Sequence, residues 1–141
     1  MIKQTKSTKI KEVKREWQLI DVKDKILGRA ASDIALLLMG KNKSNFVRNL
    51  DLGDYVVVTN AKEVKVTGNK ENLKKYYRHS GYPGGFREET YKELKSRKPE
   101  EIIRHAVSGM LPQNKLKAKM LKRLFVFVGE EHRYKDKFNS K

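Results

Sequence analysis

The sequence predicts an α/β domain with helices on both faces of a mainly parallel sheet. Three observations carry this. Short β-branched or aromatic runs alternate with helical segments along the chain, the pattern of strands joined by crossover helices. Residues 54–60 (DYVVVTN) form an apolar run too continuous for a sheet covered on one side, so they read as a central strand. The length, 141 residues, is that of one domain with a modest core.

Taken in order, residues 1–15 are Lys-rich and polar, a basic extension expected to order only against a partner. Residues 16–129 form the single domain. It opens with a short strand at 17–22 (WQLIDV), whose expected buried side chains are Trp17, Leu19 and Ile20. Residues 29–40 (RAASDIALLLMG) read as a helix closed by Gly40, where a positive φ is commonly needed. Ile34 to Met39 leave little polar face, so this helix is expected to be buried on more than one side. Residues 40–45 (GKNKSN) make a basic loop. Beyond the central strand, 62–70 (KEVKVTGNK) alternates Val64 and Val66 with charge and then turns. With 74–80 (KKYYRHS) it suggests a hairpin-like excursion over 62–80. Residues 88–97 (EETYKELKSR) predict a charged, exposed helix held by Tyr91 and Leu94. Pro99 suits a first helical turn, and Glu100 and Glu101 suit its positive end. Ile102, Ile103, Ala106, Val107 and Met110 form the buried stripe of that helix. Pro112 separates it from a helix over 114–124. Residues 125–129 (FVFVG) are a last apolar strand, and 130–141 a polar tail.

Charge points to the partner. Lys plus Arg number 33 against 17 Asp plus Glu, for a formal net charge of +16. Such an excess repels itself in the folded state and is normally kept against something negative, nucleic acid or anionic membrane. No apolar run reaches the roughly 18 residues of a membrane span, and the N-terminus lacks the apolar stretch of a secretory signal. With no Cys, disulfides and thiolate zinc sites are excluded.

Enzyme motifs are weak. Gly40-Lys41 is not a phosphate-binding loop, since Ala35 stands where the first glycine belongs and Asn42 follows the lysine. Only Gly28 lies where a dinucleotide fingerprint would need three glycines. His79, His105 and His132 show no metal-ligand spacing, and His105 reads as a boundary residue of its helix. Asp21, Asp51 and Asp54 lie near strand ends, where catalytic acids occur, but turn and cap roles suit them better. No small-molecule substrate or cofactor is indicated.

The basic segments are more informative. Between residues 102 and 123 there are six Lys or Arg and no acid. On a helix over 115–124, at about 100° per residue, Lys115, Lys119, Lys122 and Arg123 fall on one face. Leu116, Met120, Leu121 and Leu124 fall on the other, with Lys117 intruding. A solvated surface helix would usually mix in glutamates for i, i+4 pairing, so this face is expected to meet phosphate. A membrane-surface helix would want Trp or Phe on the apolar side, and none is there. Residues 74–85 (KKYYRHSGYPGG) allow two readings: a half-buried strand with a tight turn, or an RNA-binding loop. In the second, Lys74, Lys75 and Arg78 meet phosphates, aromatic rings stack on unpaired bases, and Gly84 and Gly85 admit close backbone approach.

Several motifs run in order from about residue 15 to 132: Trp17…Asp21, Leu27-Gly28-Arg29, Gly40-Lys41-Asn42-Lys43, Gly53-Asp54-Tyr55, Val66-Thr67-Gly68-Asn69-Lys70, Tyr76 to Gly85, and Gly109-Met110-Leu111-Pro112. Together they resemble the bacterial ribosomal protein L13 (uL13) family. The resemblance implies a three-layer α/β/α domain around a four-stranded, mainly parallel sheet. It implies a cytoplasmic, non-enzymatic component of the large ribosomal subunit that binds large-subunit rRNA, contacts neighbouring ribosomal proteins and joins early in assembly. RNA contact is carried to Lys41, Lys43, Arg48, Lys70, Lys74, Lys75, Tyr77, Arg78, His79, Tyr82, Gly84, Gly85, Lys115, Lys119, Lys122 and Arg123. Two stretches depart from the family. Phe46-Val47-Arg48-Asn49 replaces a Tyr-Thr-Pro-His type stretch, and Arg133 to Lys137 replaces a Pro-His continuation, so no specific contact is carried to either beyond Arg48 and a generic basic tail. A non-ribosomal DNA-binding protein and an α/β enzyme acting on nucleic acid are the rival readings.

Overall fold

A computed structural model describes residues 8–138. Strands β1 (Trp17–Asp21), β2 (Tyr55–Thr59) and β5 (Leu124–Val126) form a parallel sheet in the order β1-β2-β5. Strands β3 (Lys75–His79) and β4 (Phe86–Thr90) make a separate antiparallel hairpin. The helices are α1 (Leu27–Met39), α2 (Lys70–Leu73), α3 (Tyr91–Arg97), α4 (Pro99–Met110) and α5 (Lys117–Leu121). The expected centrality of β2 holds: Val56, Val57 and Val58 are all fully buried.

Helix α1 buries Leu27, Ala30, Ala31, Ile34, Ala35 and Leu38. That is a continuous i, i+3, i+4 stripe. Leu37 and Met39 pack at the margin of the same core, while Gly28, Arg29, Ser32 and Asp33 are exposed. The helix is thus covered along one face and not on more than one side as expected. Gly40 ends the helix in the left-handed region at φ 74°. Its N–H donates to the Leu37 carbonyl and that of Lys41 to Leu36, both at 3.1 Å. The next backbone pass lies on top of it. A Cβ at Gly53 would stand 1.7 Å from the Leu38 carbonyl oxygen, so only glycine lets that strand approach.

The layers differ from the expected three. Residues of α1, α3, α4 and α5 join Val56, Val58 and Leu124 in one core cluster, with Ile20 and Val126 at its margin. The register pairs Ile20 with Val58 and Val56 with Leu124, so these side chains share one sheet face. The other face is covered by the C-terminal segment. Trp17 stacks on Tyr55 at 4.6 Å and 13°, and Tyr134 approaches both Trp17 (5.1 Å) and Phe125 (4.6 Å). Phe138 meets Trp17 edge-on at 6.4 Å. Residues 130–138 of the expected polar tail therefore act partly as packing, because Tyr134 and Phe138 shield the sheet face opposite that core cluster. Leu19, expected inside, is 50% exposed on that face.

Among the described residues the parallel sheet has three strands, not the expected four. The segment after β2 turns through a 3-10 stretch (Ala61–Glu63), buries Val64, and makes only a single parallel bridge between Ile26 and Lys65. The hairpin also sits later than expected, at 75–90. Residues 86–90 (FREET) are too charged to read as a strand and pair only because the turn brings them against β3. Thr90 then caps α3 reciprocally: its hydroxyl accepts from the Glu93 N–H at 3.4 Å, and Glu93 accepts from the Thr90 N–H at 2.8 Å. Helix α4 starts at Pro99 as expected. Met110, at its end, is 43% exposed and departs from the buried stripe.

Candidate nucleic-acid interface

The basic residues separate by what holds them. Arg123, expected on the exposed face of its helix, is buried at 6% exposure. Its guanidinium binds both carboxylate oxygens of Asp51 at 2.5 Å and donates to the Leu38 carbonyl at 3.2 Å. The expected helix over 114–124 is regular only over α5, and the turn at its end rotates Arg123 inward. Lys43 is also drawn in, donating to the carbonyls of Lys14 and Leu52 and to Asp54 Oδ1 at 2.5 Å. Both are corrections to the expected set of free cations. They also give the acids their roles: Asp51 and Asp54 hold the chain together, and Arg15 joins Asp51 at 3.5 Å. Of the basic N-terminal extension, residues 1–7 lie outside the described residues. Residues 8–15 are not free, since Thr8 bonds the Asn45 carbonyl and Lys14 and Arg15 engage the same loop.

Lys115, Lys119 and Lys122 remain exposed, opposite the buried Met120 and Leu124. Lys41 and Arg48 are exposed on the loop between α1 and β2. The Arg123–Asp51 pair joins that loop to the end of α5.

The hairpin carries the second group. Its register places Lys75, Tyr77 and His79 on one face with Phe86 and Glu88, and Tyr76 and Arg78 on the other with Arg87 and Glu89. On the first face Tyr77 (62% exposed) stacks on Phe86 (59% exposed) at 5.8 Å and 21°. Lys75 binds Glu88 at 2.5 Å, and that hydrogen bond raises the pKa of its ammonium. Tyr82 is 76% exposed at the tip. On the second face Tyr76 meets His105 of α4 edge-on at 5.4 Å, while the Lys74 ammonium lies 5.3 Å above its ring. Burial, with the nearby Tyr91 phenol adding to it, pushes the Tyr76 phenol up to about 12. Lys70 is exposed at the start of α2, just ahead of the hairpin.

The glycines of the turn serve different ends. Gly84 has φ 72° and open space around it. A Cβ at Gly85 would lie 2.0 Å from Ser80 Oγ. That hydroxyl can rotate away, but the Tyr82 carbonyl oxygen, which accepts from the Gly85 N–H, would stand 2.9 Å from the same Cβ. The Ser80 N–H closes the turn by donating to the Gly85 carbonyl at 3.2 Å. His79 Nδ1 accepts from the Gly81 N–H at 2.9 Å, so this ring braces the turn through one nitrogen.

Sequence reasoning missed Arg87, because 86–90 did not read as a strand. It also missed Arg15. Gly84-Gly85 before Phe86 and the unbroken charged run Arg87-Glu88-Glu89 after it carry no strand period that would signal Arg87, and the burial of Arg123 beside Leu124 has no signal either. Among the described residues, no group of three or more His, Asp or Glu is placed to hold a metal. No described helix is long and apolar enough to cross a membrane.

A rigid α/β core displaying two groups of exposed cations, one interleaved with aromatic rings, defines a basic scaffold domain. The comparisons agree with that class. The family model described as ribosomal protein L13 matches residues 15–133. The chain is 53% identical over 128 residues to the large ribosomal subunit protein uL13 of Dehalococcoides mccartyi, covering 91% of this chain and 90% of that protein. It is 52% identical over 130 residues to the uL13 of Lawsonia intracellularis (92% and 90% covered) and 51% over 128 residues to that of Chromobacterium violaceum (91% and 90%). The chain belongs to the ribosomal protein L13 family, which is a family of ribosomal structural proteins and not of enzymes.

Proposed function

We propose that this protein is a structural constituent of the large ribosomal subunit in the bacterial cytoplasm, that it binds large-subunit rRNA, and that it helps early subunit assembly. The observation that carries the reading is the match to large-subunit uL13 proteins across nine-tenths of the chain. The surface supports it. Lys41, Arg48, Lys115, Lys119 and Lys122 on the loop before β2 and around α5, and Lys70, Lys74, Lys75 and Arg78 around the hairpin, are placed to displace condensed counterions from folded RNA, so affinity falls steeply with salt. Tyr77, His79 and Tyr82 supply faces for unpaired bases, the form in which RNA offers its bases to a protein. Phosphate contacts set the position, and RNA shape sets the choice of site. Neighbouring ribosomal proteins are the further partners of this reading, with the half-exposed face of Leu19 and the C-terminal segment as open surface.

The test is sedimentation. Tagged protein expressed in bacteria should travel with the large subunit and withstand moderate salt washing. Recovery at the top of the gradient, or equal retention on DNA and rRNA, would sink the reading.

A further inference from the structure

Arg78 and Arg87 stand directly opposite each other across the β3–β4 hairpin. Directly paired residues have Cβ atoms about 5 Å apart, and like charges there destabilise the pair. The nearby acids give no relief. Three carboxylates line the same groove as the two arginines, and each is engaged by another cation: Glu88 by Lys75 at 2.5 Å, Glu89 by the Arg97 guanidinium through two bonds of 3.0 and 2.6 Å, and Glu101 by Lys98 at 3.3 Å. Among the described residues neither Arg78 nor Arg87 has an ion-pair partner. Two guanidinium forks on one exposed strand pair form an incomplete arrangement, and one tetrahedral oxyanion completes it, because each fork matches two of its oxygens.

The surroundings identify the anion. Both arginines line a groove of about 700 Å³ that also has Tyr76 and His105 in its wall. Tyr76 lies two positions from Arg78 on the same strand face, roughly 7 Å along it. That places an aromatic wall beside the anion position at the spacing of a base from its own phosphate. A paired base could not turn into such a groove. We propose that Arg78 and Arg87 together grip one backbone phosphate of an unpaired rRNA nucleotide whose base enters the groove against Tyr76 and His105. The assignment rests on the rRNA-binding reading above and adds Arg87 to its residues.

The test is a double-mutant cycle on the full chain, using deproteinised large-subunit rRNA and a salt series. Arg78→Ala and Arg87→Ala should each weaken binding roughly 3- to 10-fold and lower the salt slope by about one contact. The double variant should lose little more than either single one, since the two groups share one phosphate. Arg87→Lys, which keeps the charge and removes the fork, should recover only part of the affinity. The thermal midpoints should stay level or rise, because a like-charge pair is removed, and this separates binding from folding. Additive losses would overturn the shared phosphate. Unchanged affinity and slope in the double variant, beside a clear loss in Lys119→Glu/Lys122→Glu, would overturn the clamp and leave the rRNA reading intact. Failure of the unmodified protein to bind rRNA would remove both. Saturable binding of inorganic phosphate alone at submillimolar concentration would make this a small-anion site instead. Loss of a neighbouring protein from reconstituted subunits, with rRNA affinity intact, would make the groove a protein contact and equally refute the assignment.

Discussion

Arg123 and Asp51 form a two-bond ion pair at 2.5 Å that ties the end of α5 to the loop before β2, with side chains only 8% and 11% exposed. The pair lies beneath the close pass of Gly53 over Leu38, where a third Arg123 bond reaches the Leu38 carbonyl.

Breaking such a pair from one side leaves the largely buried Asp51 carboxylate with only the longer, more exposed Arg15 contact at 3.5 Å. Arg123→Ala should therefore cost about 3–5 kcal/mol, read as a lower midpoint in urea unfolding. Exposed Lys119→Ala should change stability by less than about 0.5 kcal/mol. Equal effects from the two would show that Arg123 is not structural.

Glycine positions should divide sharply. Gly53→Ala forces a Cβ into backbone at 1.7 Å, and Gly40→Ala adds a left-handed strain to a 2.7 Å clash with the Leu52 carbonyl oxygen. Both are expected to yield little folded protein. Gly109, inside α4 with nothing within 4 Å of an added Cβ, should instead gain about 0.5–1 kcal/mol on change to Ala. Thermal unfolding of the three purified variants checks the ordering.

Lys119→Glu combined with Lys122→Glu should weaken rRNA binding and flatten its salt dependence, with the thermal midpoint unchanged, because Met120 and Leu124 on the opposite side carry the packing. Parallel loss of stability and binding would show that these lysines also support the fold.

The C-terminal segment should be readable through Trp17. Ending the chain at residue 129 removes Tyr134 and Phe138 from around that ring, so its fluorescence should shift to longer wavelength. Tyr134→Ala alone should cost about 1–3 kcal/mol from lost burial and ring contact. An unshifted emission spectrum in the truncated chain would refute the packing.

The Tyr76 phenol gives a pH signature. Its folded pKa is raised to about 12, first by burial, so the folded state holds that proton more tightly than the unfolded state, which releases it near pH 10. More protons bound in the native state means stability falls as pH rises. The loss sets in near pH 10 and continues to about pH 12. Tyr76→Phe should be less sensitive over that window, and one tyrosinate absorbance step should move down from about pH 12 when the wild-type protein is unfolded in urea.

What depends on local chemistry was legible along the chain. The β-branched run of β2, the α1 stripe ended by Gly40, and Pro99 at the start of α4 were all legible, because strand, helix and cap preferences act over a few residues. The excess of cations and the ordered motifs from Trp17 to Pro112 likewise pointed to the family. Residues 86–90 were not legible: a charged segment with little strand preference pairs only because the turn at Ser80–Gly85 supplies its partner. Nor was the covering of the second sheet face, where Tyr134 and Phe138 look like scattered aromatics until Trp17 and Phe125 are beneath them. The tertiary structure alone decided which cations are free. Lys119 and Arg123 have the same sign and lie one helical turn apart, yet one meets water and the other Asp51. A charge pattern records the sign of each residue, whereas solvation and partner are set by what the folded chain brings against it. The same reason hid the Arg78–Arg87 pair, which exists only through the hairpin register.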